Sequence, residues 1–267
     1  MPSDKTPIVL IHGLWMPPHS WSGWIERYTV AGHAVHAPAW PGESELGEEL
    51  DLSKAPADIR FGEVVDHYDA FVRGLPEPPI LMGHSFGGLI TQMLLDRGLG
   101  RTGVAIHPAA PRGVYRLPLS VLRATLPVLR LPSNRRRAVP LTPAEFHYAF
   151  ANTVSRAESN SWHAKLAIPA PGRPLFESAV ANFLPKSRAS TVVDYAKSDR
   201  APLLLIAGGR DHLTPYSVVY ENFNRYRRSS APTDFKLFED RPHLTAALDG
   251  WTDVADYALT WTAGHSG

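Results

Sequence analysis

Residues 80–90 read ILMGHSFGGLI. An apolar run stops at Gly83, and His84, Ser85 and Phe86 follow. Two more glycines come next before the apolar character resumes. A hydroxyl fenced by glycines between two buried segments fits the pattern Gly-x-Ser-x-Gly. That pattern carries weight when a strand precedes it and a helix follows. Both flanks qualify: 78–83 reads as a strand and 86–98 as a helix closed by Gly98. A sharp strand-to-helix turn strains the central residue and admits only small neighbours. It also lifts the serine to the C-terminal edge of the sheet, where ligands bind in open α/β folds. Ser85 is therefore the candidate nucleophile. The amide N–H of Phe86 opens the next helix and can donate to a developing oxyanion.

Working outward, strands and helices alternate through both ends of the chain. Strand-like runs are 7–13, 33–42, 78–83, 102–108, 201–209 and 233–239. Helical spacing marks 61–75, 86–98, 216–228 and 249–264. Such alternation predicts a parallel sheet covered on both faces. The proline-rich stretch 111–199 breaks the rhythm with two helical patterns, LSVLRATLPVLR and TPAEFHYAFANTVSRAE. It reads as a helical cap inserted after the strand 102–108, into a core formed by 1–110 and 200–267. Its basic run, Arg135–Arg137, reads as a solvated face.

Bulk properties narrow the function classes. The chain has 267 residues, 44% hydrophobic and 20% charged, with 27 Lys+Arg against 26 Asp+Glu. That balance gives no support for a nucleic-acid or membrane-surface partner held by overall charge. Without cysteine there is neither a disulfide framework nor a thiolate nucleophile. The polar N-terminus lacks the pattern of a signal peptide, and no apolar run approaches membrane-spanning length. A cytoplasmic protein acting on a small molecule is expected, with no nucleic-acid or membrane partner. The oligomeric state is not legible.

A serine needs a base, and the base needs an orienting carboxylate. The chain order serine, acid, histidine selects among twelve histidines. Asp211 follows the apolar strand 202–207, and His243 follows the strand 233–239, so both would emerge at the edge that carries Ser85. Asp199 precedes its strand, and Asp240 stands very close to His243 in sequence; each is the weaker acid. His107 follows the strand 103–106 and is no carboxylate, which strengthens Asp211. In the stretch IHGLW (11–15), Gly13 permits a tight turn that aims the Leu14 amide at the same pocket, with Trp15 as the alternative donor. His12 and His84 are read as supports for these two turns.

Together HGLW, GHSFGG, GGRDHLTP and the late RPH resemble the α/β-hydrolase superfamily over nearly the whole chain, with compact serine esterases and the perhydrolase group nearest. The resemblance implies a mostly parallel eight-stranded sheet with a helical cap. Only about six residues precede the first strand here, so a sheet of about six strands is expected, without the family's first two. Ser85 in the nucleophile position excludes the dehalogenase and epoxide-hydrolase branches, which attack with aspartate. No cofactor is implied, and without a His-Glu-x-x-His motif no metal is expected.

The cap aromatics suggest an apolar substrate. Trp15, His107, Phe146, His147, Phe150 and Trp162 are the expected substrate-binding residues. Two thirds of the cap aromatics are expected to pack the cap onto the sheet instead. The expected activity is hydrolysis of a small, largely apolar carboxylic ester or lactone through an acyl-enzyme. C–C hydrolase, hydroxynitrile lyase or amidase chemistry on the same triad is the alternative. A non-catalytic ligand-binding receptor on the same fold is a further one.

Overall fold

The computed structural model describes residues 5–49 and 56–265. Within them, six strands form one parallel sheet: β1 (Lys5–Ile11), β2 (His33–His36), β3 (Ile80–His84), β4 (Thr102–Ile106), β7 (Leu203–Gly208) and β8 (Thr233–Phe238). Their order is β2-β1-β3-β4-β7-β8. The chain leaves β1 toward one edge and returns to its other side at β3. The crevice above β1 and β3 is therefore a topological switch point, where α/β sheets place their ligands.

The strand residues alternate between two cores. Val9, Ile11, Leu81, Ala105, Leu203 and Leu205 face one layer. Ile8, Leu10, Met82, Val104, Leu204 and Ile206 face the other. On the first side lie α2 (Phe61–Arg73), α3 (Phe86–Asp96) and α8 (Tyr216–Arg225). On the second lie α1 (Ser22–Val30) and α9 (Trp251–Ala263), which bury Trp24 and Tyr28 against Val254, Ala255 and Ala258. Burial on both faces explains why the central strands are continuous apolar runs rather than alternating ones. The edge strands β2 and β8 are mostly half-buried.

Between β4 and β7 the chain leaves the sheet. It forms α4 (Leu119–Leu129), α5 (Pro143–Ala149), α6 (Arg156–Leu166) and α7 (Gly172–Val180), with a two-stranded ribbon of β5 (Ala138–Val139) and β6 (Ala170–Pro171). The structure corrects the sequence reading in detail. The single helical pattern over 142–158 is two helices, because Ser155 caps a new helix by accepting from Glu158 N–H. The segment 33–42 pairs only over His33–His36, since Pro38 and Pro41 cannot donate to a ladder. Helices α1 and α7 were not anticipated.

Candidate active site

Ser85 sits between β3 and α3 with φ +57°, a left-handed conformation rare outside glycine. The strain is held from several sides. Ser85 N–H donates to Ile106 O at 3.0 Å, and Ser85 O accepts from Leu89 N–H at 3.2 Å and from Ala109 N–H at 2.9 Å. Gly83 and Gly87 make the turn possible. A Cβ on Gly83 would collide with the carbonyl of Gly87, and one on Gly87 with the carbonyl of Ile11. The helix start is thus pressed directly against β3 and the end of β1.

The loop after β1 closes on the serine. A Cβ on Gly13 would stand 2.7 Å from Ser85 Cβ and 3.2 Å from its Oγ. Trp15, at φ +66°, ties this loop to the cap: its Nε1–H donates to Val139 O at 3.0 Å, and its carbonyl accepts from Ile168 N–H at 3.1 Å. Below, His12 Nδ1 meets Gly13 O at 3.0 Å, and its Nε2 lies 3.5 Å from Glu43 Oε2. Burial pushes His12 down to about 4, against the Gly13 hydrogen bond. Burial also pushes the Glu43 carboxyl up to about 8, against the Trp40 backbone bond. Near neutral pH this pair is uncharged, with Glu43 carrying the proton.

Asp211 and His243 come together from the ends of β7 and β8. His243 Nδ1 lies 2.7 Å from Asp211 Oδ2. The same oxygen accepts from His107 Nδ1 at 2.7 Å and Thr214 Oγ1 at 2.9 Å. Oδ1 accepts from the N–H groups of Leu213 and Thr214. Burial alone would raise the Asp211 carboxyl. Electrostatic attraction to His243 and the hydrogen bonds from His107 and His243 outweigh it and hold the carboxyl well below its usual range. With Asp211 ionised, both Nδ1 atoms carry their protons, and His243 Nε2 presents a lone pair. That Nε2 is buried and has no hydrogen-bond partner, Ser85 included. His84 holds the base from behind: its Nε2 meets His243 O at 2.8 Å. Burial and the neighbouring His243 and His107 keep His84 neutral.

His107, Asp211 and His243 have the donor set of a metal site. Their spacing suits protons instead. A cation with bonds of about 2 Å to each ligand would hold the donors roughly 3 Å apart or more, against 2.7 Å here.

A cavity of about 320 Å³ opens on Ser85, with Trp15 and Phe86 at its base and Leu213, Thr214 and Val218 on one wall. Of the six expected substrate-binding residues, Trp15 alone lines it. His107 is fully buried behind Asp211. Phe146 and Phe150 are fully buried and stacked on each other, and Phe150 sets its ring edge-on to His243 at 5.0 Å. His147 and Trp162 are half-buried outside the cavity. These five thus lie away from this cavity: helical spacing does not say which face of a cap helix meets the sheet, and His107, at the end of β4, is bonded to Asp211 instead. Tyr115, Leu117 and Phe183 line the outer cavity, and Thr214 joins cavity and acid. The dipeptide Leu213-Thr214, directly after Asp211-His212, was the available signal for this wall.

A profile described as the alpha/beta hydrolase family matches residues 8–257. The chain belongs to the alpha/beta hydrolase family. No curated protein matches its sequence. Similar solved structures include a methylesterase from Arabidopsis (15% identity, 97% of this chain and 99% of that one, TM-score 0.65). A monoacylglycerol lipase from Paleococcus ferrophilus is also similar (20%, 97% and 96%, TM-score 0.64). So is methylketone synthase I of tomato (15%, 98% and 99%, TM-score 0.69). At these identities the alpha/beta hydrolase fold is what this chain shares with them.

Proposed function

We propose that this chain is a serine hydrolase that cleaves a small, largely apolar carboxylic ester or lactone. The observation that carries the reading is His243. Its Nδ1–H is spent on ionised Asp211 and its Nε2 is buried with no hydrogen-bond partner, while Thr214, bonded to the same Asp211 oxygen, lines the cavity together with Ser85. In an unliganded site the serine–histidine bond is often open and tightens with substrate.

The chemistry follows from those positions. His243 Nε2 takes the Ser85 hydroxyl proton as Oγ bonds to the ester carbonyl carbon. The carbonyl π electrons move to oxygen, where the N–H groups of Phe86 and Leu14 are the donors we assign. Asp211 stabilises the imidazolium that forms. The carbonyl re-forms, the alkoxide leaves with the His243 proton, and an acyl-Ser85 remains. Water, deprotonated by His243, then attacks the acyl carbon; the Ser85 Oγ–carbon bond breaks, the acid leaves, and His243 returns its proton to Oγ. A cavity of about 320 Å³ with mostly apolar walls suits a short acyl or alcohol group.

Treatment with a fluorophosphonate, followed by peptide mass spectrometry, tests the reading. Quantitative labelling of Ser85 that disappears in His243→Ala is the expected result. A folded protein left unlabelled would contradict it, as would labelling insensitive to His243.

A further inference from the structure

The cap turns its leucines outward. Helix α4 buries Ala124, Thr125 and Val128, while Leu119 is 82% and Leu126 56% exposed, with Leu122 exposed between them. At 100° per residue these three share one face, and the exposed Arg123 and Arg130 fall beside them. A helix that exposes three leucines while it buries an alanine, a threonine and a valine departs from the usual pattern of a globular protein. The apolar face continues to the active-site mouth. Leu122, Tyr115, Leu117 and Phe183, the last 87% exposed, are at once surface residues and walls of the cavity that ends at Ser85.

Charge says what this face is built to meet. Between positions 97 and 144 the sequence contains no aspartate or glutamate, whereas the cap there carries Arg112, Arg116, Arg123, Arg130 and the run Arg135–Arg137. Among the described residues only Arg136 of this set brings its guanidinium within 4 Å of a carboxylate, Asp58 at 3.9 Å; Arg116 meets Glu221 through its backbone N–H, and the Arg112 guanidinium donates to Leu184 O. With an overall charge of only +1, the rest of the chain is net acidic, so the field points the cap toward a negative surface. No described helix is long and apolar enough to cross a membrane. Exposed leucines flanked by arginines match instead an element that lies in the headgroup layer. A second copy of the chain fits less well, because a two-fold contact across α4 would set arginine against arginine.

We propose that the α4 face docks this protein on an anionic phospholipid bilayer, with the mouth of the Ser85 cavity against the lipid. This reverses the expectation from overall charge, which averages away a local patch. Docking itself is independent of the hydrolase reading. Its corollary, that the ester reaches Ser85 from the lipid phase, rests on that reading.

Vesicle flotation of the full chain tests it. The protein should float with phosphatidylcholine vesicles containing phosphatidylglycerol, release at high salt, and stay behind with phosphatidylcholine alone. Leu119→Asp/Leu126→Asp, at two positions outside the cavity wall, should lower the bound fraction by roughly tenfold or more. Arg123→Gln/Arg130→Gln should lower it several-fold. An unchanged thermal midpoint shows that each variant folds. Ser85→Ala should float like the wild type, which separates docking from catalysis. Absence of flotation on the anionic vesicles would overturn the proposal. So would equal flotation of the leucine variant, or a dimer that this variant dissolves in a protein that ignores lipid.

Discussion

His107 and His243 share one oxygen: each places Nδ1 2.7 Å from Oδ2 of Asp211, and each is fully buried. His107 thus stands behind the acid as His243 stands in front of it. Removing His107 takes one donor from the carboxylate and leaves the His243 contact intact. His107→Ala should lower kcat by roughly tenfold and cost about 1–3 kcal/mol of stability. His243→Ala should lower kcat by about 10⁴-fold or more. Steady-state kinetics on one ester substrate decides; equal losses would place His107 in the chemistry itself.

Asp211→Asn should be nearly as damaging as loss of the base. The amide offers one acceptor where three side-chain donors converge, and it favours the wrong His243 tautomer, a defect worth about 10⁴ in kcat. The pH dependence has a definite sign. The folded Asp211 carboxyl titrates below its unfolded value of about 3.9. Its ionisation therefore stabilises the fold above that pH, and the contribution is lost as pH falls through the folded value. The stability gap between wild type and Asp211→Asn should be level near neutral pH and shrink below pH about 4. Denaturant melts across that range measure it.

Glu43 predicts the opposite trend. Its folded value of about 8 lies above the unfolded value of about 4.3. Between the two the folded state holds more protons, so stability falls as pH rises from about 4.3 and levels off above about 8. Glu43→Gln should therefore match wild type near pH 4 and exceed it at pH 9, the thermal midpoints diverging in between. A constant difference would mean that Glu43 is ionised when folded.

Gly87→Ala should fail structurally rather than catalytically. The new methyl would strike the carbonyl of Ile11 on a central strand, which cannot move aside. A loss of about 3 kcal/mol or more is expected, together with loss of Ser85 labelling. Gly62→Ala, where nothing stands within 4 Å, is the neutral control.

Thr214→Val removes a hydroxyl bonded to both Asp211 Oδ2 and His107 O. It should cost about 1 kcal/mol and lower kcat while leaving KM nearly unchanged. A change confined to KM would assign the hydroxyl to substrate instead.

The sequence by itself determined the sheet and which residues end its strands. Burial on both faces writes β1, β3, β4 and β7 as apolar runs. The strand-to-helix turn at Ser85 requires Gly83 and Gly87 whatever surrounds it. Asp211 and His243 were legible because each follows a strand at the same edge. These are local constraints, and local constraints are carried by neighbouring residues. Only the tertiary structure decided the rest. It put His107 behind Asp211 rather than in the substrate wall, buried Phe146 and Phe150, and turned Leu119, Leu122 and Leu126 to the outside. The pattern of a helix fixes which residues share a face, but not which face meets the sheet. That choice belongs to the packing of the cap as a whole, where Ala124, Thr125 and Val128 of α4 face inward and Leu119, Leu122 and Leu126 remain outside.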